Sequence, residues 1–386
     1  MVNFLLHSLL KHPNICLDRM LEVTLIFNKS NASDDATLLQ RLLAGVATVR
    51  FADPLEPPVA CDVNIHLEIP IYSYVPWSNY NVFMKNPEQY VKESYDPYMK
   101  HFNLVITKEE LQTNSKKILD SLVKKGLAKP KLPPILTPEN CPPISIITLM
   151  YNRRRFFDLA CHNIMISDYP KDKIEWIIVE DSDDISEDSS DKIISTAEQS
   201  KPLEIVYIPL KKKTSISEKR NLGVLRAKNE IVLFMDDDDH YPITSFRRRV
   251  AWLTLHPSKP KATVCTTIAC YDLKKGISAV NSPPLDLPLG QRISEATLTF
   301  YKSWFLERMF DKTVQIGEGD FLIKGRESDV MELPPQQILV AFSHGNNASS
   351  RRIPSNDSVE PSCFWGFPQE YLQFIHSLAN VSLILN

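Results

Sequence analysis

The chain is 386 residues long, 43% hydrophobic and 24% charged, with a formal net charge of −3 and a pI near 6.3. That length suffices for about two domains with real cores. The slightly acidic balance excludes a protein whose whole surface grips nucleic acid, because phosphate binding needs a clear basic excess.

The opening stretch MVNFLLHSLLKHPN is interrupted by His7, Lys11 and His12, too short an apolar run for a bilayer span or a signal peptide. No other segment approaches the roughly 20 apolar residues of a membrane helix. Seven cysteines, irregularly spaced and without a CxxC pair, argue against a disulfide framework or zinc ribbon and for a reducing compartment. A soluble, cytoplasmic protein with no transmembrane segment is expected. The triplets at Asn28, Asn31, Asn347 and Asn380 fit the glycosylation sequon, which arises often by chance.

Residues 1–125 alternate short apolar strands with helices: VTLIF (23–27), a helix near ATLLQRLLAGV, TVRF, VNIHLEI (63–69), NVFM (81–84), and FNLVITK (102–108) leading into a helix over 108–126. This pattern predicts a small three-layer α/β domain with a largely parallel sheet. With ten glycines in the whole chain and no GxGxxG after a strand, it lacks the usual phosphate-binding turn. Glu68, Asn86 and Glu88 read as turn caps, with the lining of an acceptor cleft as the alternative. Prolines at 130, 133, 134, 138, 142 and 143 then predict an extended linker over 126–143.

From 144 to 386 the signals sharpen. PISIITLMY (143–151), IEWIIVED (174–181), LEIVYIPL (203–210) and EIVLFMDD (230–237) are continuous apolar runs, as expected of parallel strands covered on both faces. Ligands bind at the carboxyl ends of such strands. Asn152 and Arg153, Glu180 and Asp181, and Asp236 to Asp239 would therefore gather at one edge.

The acidic DSDDISEDSSD (181–191) fails as a calcium loop, since Ser186 and Lys192 stand where a glycine and a glutamate are needed, and it reads as a solvated loop and helix start. The four aspartates at 236–239 demand a counter-charge, because adjacent carboxylates repel severely when partly dehydrated. A D-x-D pair at a strand end offers hard oxygen ligands to Mg²⁺ or Mn²⁺ and leaves positions open for a substrate's phosphates. Just upstream, Ser215 and Glu218 form a capping box for a helix SEKRNLGVLRAKN, on which Arg220, Gly223 and Ala227 share a face. Arg220 and Asn221 fall in its first turns, near the sheet edge where anions are favoured, and are expected to contact the substrate.

The ordered series SIITLMYNRR, WIIVEDSDD and SISEKRNLGVLRAKNEIVLFMDDDDHYP resembles the nucleotide-sugar-binding half of GT-A glycosyltransferases, family 2 in particular. The resemblance implies a mostly parallel, Rossmann-like GT-A domain with Asp236 and Asp238 as its DXD pair, Asp238 being the more direct metal ligand and Asp237 and Asp239 supporting or solvent-facing. It implies further that Glu180 and Asp181 contact the donor's base or ribose, with Asp181 the better match, and that Tyr151 and Arg153 border the nucleotide pocket. Arg154, Arg155 and Arg247 to Arg249 read as surface or phosphate-side charges. In IGEGDFLIKGR (316–326), Glu318 or Asp320 would deprotonate the acceptor hydroxyl, Glu318 being preferred. His344 is the histidine that would reach the metal, with His240 a weaker rival. The first domain resembles Rossmann-like segments attached to some glycosyltransferases, including ones encoded by large DNA viruses, and would be an accessory or a degenerate transferase half.

The reading is a metal-dependent, inverting transfer of a sugar from a UDP- or GDP-sugar to a hydroxyl of a glycan or other acceptor, with Arg220 or one of Lys211 to Lys213 assisting the departing diphosphate. A nucleotidyltransferase is the first rival, weakened because TLMYNRRRF holds no glycine. A non-catalytic nucleotide- or glycan-binding module of the same fold is the second.

Overall fold

A computed structural model describes residues 20–28, 34–54, 61–68, 70, 74, 78–88, 90, 92–96, 99, 102–126, 135–256, 259–284, 286–314, 317–333, 338–345, 347, 363 and 365–383. The chain divides into two compact units, one comprising Met1–Leu132 with Pro284–Asp286, the other Pro133–Pro283 and Leu287–Asn386. The N-terminal stretch and Asn31 lie outside the described residues.

In the first unit, β1 (Leu21–Ile26), β2 (Ala47–Ala52), β3 (Cys61–Leu67), β4 (Ser78–Lys85) and β5 (Leu104–Thr107) form a wholly parallel sheet in the order β2-β1-β3-β4-β5. Helices Asp34–Leu43 and Ser115–Gly126 bury Leu39, Leu43, Leu119 and Leu122 in a core with β-strand residues such as Val23, Ile65 and Val82. Asn86 caps its turn, its Oδ1 accepting from Glu88 N at 3.1 Å. The single helix predicted over 108–126 is in fact two, Lys108–Thr113 and Ser115–Gly126. The Thr-Asn-Ser run explains the break: Thr113 Oγ1 donates to Glu109 O at 2.7 Å, a local bond that competes with helix continuation.

The predicted linker behaves differently in its second half. Residues 127–134 lie outside the described residues, but Leu136 and Cys141 are buried in the second unit's core. Apolar side chains between the prolines make this stretch part of the packing rather than a solvated spacer.

The second unit is built on β6 (Ile144–Met150), β7 (Ile174–Glu180), β8 (Glu204–Pro209), β9 (Ile231–Phe234), β10 (Ala262–Val264), β13 (Thr299–Tyr301) and β14 (Val330–Glu332), in the order β14-β10-β13-β9-β6-β7-β8. The strands β6 to β9 run parallel, and β13 lies antiparallel on β9. Side chains alternate between two cores: Ile144, Ile146, Trp176, Ile178 and Leu233 pack on one face, Ile147, Ile177, Val179, Val232 and Phe234 on the other. That is why these runs are continuously apolar. A small sheet, β12 (Ile277–Asn281), β11 (Ile268–Asp272) and β15 (Val340–Ser343), completes the unit, and β15 is pinned by a bridge between His240 and Val340. Among the described residues, no helix is long and apolar enough to cross a membrane.

Candidate active site

Because β6, β7 and β9 are parallel neighbours, their carboxyl ends bring Tyr151 to Arg153, Glu180 and Asp181, and Asp236 to Asp239 to one edge. The edge lies where the strand order reverses, with β7 and β8 on one side of β6 and β9 on the other, the usual ligand position in open α/β sheets. Asn152 adopts φ +48°, a conformation asparagine tolerates, and its Oδ1 accepts from Asp183 N at 3.1 Å and Asp184 N at 3.2 Å. This locks the loop after β6 to the loop after β7.

Ligand atoms of Asp236, Asp238 and Asp239 lie within 4.8 Å of one another. Of the two places the sequence allows Asp237 and Asp239, supporting or solvent-facing, burial excludes the second: both are fully buried, because β9 ends at Phe234 and the aspartates turn back under the loops from β6 and β15. Neither oxygen of Asp237 accepts a hydrogen bond among the described residues, although Arg153 Nη2 stands 3.1 Å from its Oδ1. Burial, opposed by Arg153 and reinforced by the neighbouring aspartates, pushes the Asp237 carboxyl up to about 8. Arg153 also pairs with Asp238. His344 Nε2 lies 2.9 Å from Asp238 Oδ2, and Asn347 Nδ2 donates to the same oxygen at 3.2 Å. A buried carboxyl that accepts no hydrogen bond among the described residues, beside three clustered carboxylate oxygens, suits a hard divalent cation. His240 turns the other way: its Nδ1 meets Tyr371 OH at 2.7 Å, and burial lowers its pKa to about 3.

Cations face this cluster from the helix Ile216–Arg226, whose N-cap Ser215 accepts from Glu218 N. Gly223 lies so close to β6 that a Cβ there would stand 2.6 Å from Ile147 Cγ2, and this close approach buries Lys219, Arg220 and Asn221. Lys219 Nζ is 2.5 Å from Asp181 Oδ1, while Asp181 Oδ2 accepts from Thr214 N at 2.7 Å. Lys213 lies over the Tyr151 ring at 4.2 Å, and Tyr151 OH donates to Asp183 at 3.1 Å. Arg220 pairs with Glu318 and reaches Asp236 Oδ1 at 3.5 Å, its guanidinium set over the Phe234 ring.

Glu318 is thus buried and joined to the aspartates through one arginine, whereas Asp320 is partly exposed and packs its backbone against Gly290. Glu295, unnoticed in the sequence, accepts from Gly319 N at 3.1 Å, and burial together with the Glu318 charge pushes it up to about 7.

Several expected ligand contacts are instead internal. Glu180 accepts from Ser182 Oγ, Ser189 N and Tyr207 OH, so its carboxylate ties β7 to its own loop and to β8. Asn221 is closed onto the Phe310 backbone, donating to its O at 2.9 Å and accepting from its N at 3.1 Å. Arg249, read as a surface or phosphate-side charge, is fully buried; it donates to Thr299 Oγ1, Phe234 O and Leu298 O and braces β9 against β13. Helical phase carried that signal, since Arg249 falls on the face of Phe246, Val250 and Leu253. Lys219 was likewise legible, four residues before Gly223 on the sheet-facing side. Nothing in the sequence marked Glu295, and Asn347 stood out only as part of a sequon.

Residues 145–303 match the profile of the family described as Glycosyl transferase family 2. No curated protein matches the chain. Among solved structures, S. aureus TarS 1–349 is 17% identical with a TM-score of 0.40, the match covering 52% of this chain and 60% of that one. Mannosyltransferase PcManGT from Pyrobaculum calidifontis, in complex with GDP-Man and Mn²⁺, is 16% identical with a TM-score of 0.42, covering 61% of this chain and 66% of that one. The chain thus spans less than two thirds of each of these two structures. The segment matched to the family is less than half of the chain; it runs from Ser145 in β6 through β9 and all four aspartates, while Glu318, Asp320 and His344 lie beyond it, and in that segment the second unit is similar to family 2 glycosyltransferases.

Proposed function

We propose that the second unit transfers a hexosyl or pentosyl group from a UDP- or GDP-sugar to a hydroxyl of a glycan or other acceptor, with inversion and with the help of Mn²⁺ or Mg²⁺. The observation that carries this reading is the convergence, at the strand-order reversal, of the Asp236, Asp238 and Asp239 oxygens with Arg153, Lys219 and Arg220. Asp236, Asp238 and Asp239, with His344 beside them, would hold the cation. A divalent ion bound there supplies positive charge to a departing diphosphate. Arg153 and Arg220 add fixed positive charge next to it, in a partly dehydrated setting where such charge acts strongly. Tyr151 and Asp181 border the donor's nucleoside.

Glu318 accepts the proton of the attacking hydroxyl. Its pairing with Arg220, which also reaches Asp236, sets it beside the acid cluster, a position Asp320 does not share. The first unit serves as an accessory domain.

A thermal-shift panel of nucleoside diphosphates and nucleotide sugars, with and without Mn²⁺, tests the reading. UDP or GDP with Mn²⁺ is expected to raise Tm, since a ligand that binds only the folded form stabilises it. No shift with any nucleotide would sink the proposal. E318Q should keep that shift and lose at least about a hundredfold in turnover, the lower range for a general base, while D320N keeps most activity. The reverse outcome moves the base to Asp320.

A further inference from the structure

Four adjacent aspartates need a counter-charge, and the chain supplies one of its own. Arg153 contacts Asp238 and stands 3.1 Å from Asp237, whereas Lys219 is matched to Asp181 and Arg220 to Glu318, with a longer 3.5 Å approach to Asp236. Among the described residues, Asp238 Oδ2 accepts from Arg153 Nη1 and Asn347 Nδ2 and also meets His344 Nε2. A carboxylate oxygen offers two lone-pair directions, so that oxygen is saturated.

We propose that Arg153 is a positioning residue that competes with the divalent cation for Asp238, leaves that oxygen when the ion binds, and then holds the donor's diphosphate. This inference rests on the metal-dependent reading above.

The geometry selects Arg153 as the group that moves. Its side chain is 24% exposed against 1% for His344, so it has a path toward solvent that the imidazole lacks. His344 is held by Phe156, ring centroids 4.6 Å apart, and by Asn347 Oδ1, which accepts from its backbone N at 2.9 Å. The backbone beside Arg153 stays fixed, because Asn152 is bonded to the loop after β7, so the side chain swings from a rigid anchor. A planar guanidinium that forks across two carboxylates is equally suited to two phosphate oxygens. Competition at one oxygen weakens metal binding in the free protein, and the same arginine strengthens diphosphate binding once the metal is in place.

Mn²⁺ binding by the full chain, followed by calorimetry and by the EPR signal of free Mn²⁺ without nucleotide, separates this from a merely structural arginine. R153Q should bind Mn²⁺ at least about tenfold more tightly than wild type, since a unit charge a few ångströms from the ion is removed. At saturating Mn²⁺ it should bind UDP or GDP about tenfold more weakly, as for the loss of one charge-assisted contact. R153K, which cannot fork across Asp237 and Asp238, should fall between wild type and R153Q in Mn²⁺ affinity and serves if R153Q does not fold. Unchanged or weaker Mn²⁺ binding in either variant overturns the proposal while leaving the metal-dependent reading intact. Absence of Mn²⁺ binding by all three proteins, with and without nucleotide, removes both.

Discussion

Asn221 sits among the charged side chains of the site, yet its amide is closed onto the backbone of Phe310. Replacing it by alanine strands a buried N–H and a buried carbonyl, a loss of about 2–3 kcal/mol. N221A should therefore lower the second unit's Tm by roughly 5–10 °C, with the affinity for UDP or GDP little altered in the protein that remains folded. A large loss of nucleotide affinity without loss of stability would return Asn221 to the ligand contacts. At this scale the sequence marked residue types well and their partners badly. Aspartates at 236–239 were conspicuous, but which oxygens cluster depends on how tightly the turn after β9 curls beneath Arg153.

The helix Ile216–Arg226 carries three site residues in succession, Lys219, Arg220 and Asn221, and its distance from β6 is set by Gly223. Alanine is ordinarily the better helix former by about 1 kcal/mol. Here G223A should instead destabilise by about 1–3 kcal/mol, because the added methyl meets Ile147 Cγ2 and the helix must back away. Moving that helix also displaces Lys219 from Asp181 and Arg220 from Glu318, so turnover should fall by up to about a hundredfold, the scale for a misplacement near 1 Å. Paired Tm and activity measurements check this; a variant more stable than wild type would refute the packing account. Strands β6 to β9 were readable from continuous apolar runs because both faces of that sheet are covered. The edge strand β14, short and paired with β10 far back in the chain, and the short β11–β12 hairpin were not. The helical phase of Arg249 marks its burial, but its partners on β9 and β13 come only from the tertiary pairing of those strands.

Two units with separate cores need not unfold together. His66 in β3 is fully buried against Phe102, and burial lowers its pKa from 6.5 to about 3. The unfolded chain therefore binds a proton between those values that the folded one refuses, so stability rises with pH through this window and is lost as pH falls below 6.5. At pH 4.5 the penalty is about 2–3 kcal/mol. Calorimetry from pH 7 to 4.5 should show the first unit's transition falling, and H66F, which keeps the ring and drops the titration, should flatten that slope. An unchanged slope would place the acid sensitivity elsewhere.

By itself the sequence determined the α/β class, the core strands of the second unit and the residue types at their carboxyl ends, because burial on two faces and alternating elements leave local patterns. Only the tertiary structure decided which cation answers which carboxylate: Arg153 to Asp238, Lys219 to Asp181, Arg220 to Glu318. Those pairs join residues 38 to 98 positions apart, and Coulomb attraction between side chains depends on distance in space, which no spacing along the chain encodes.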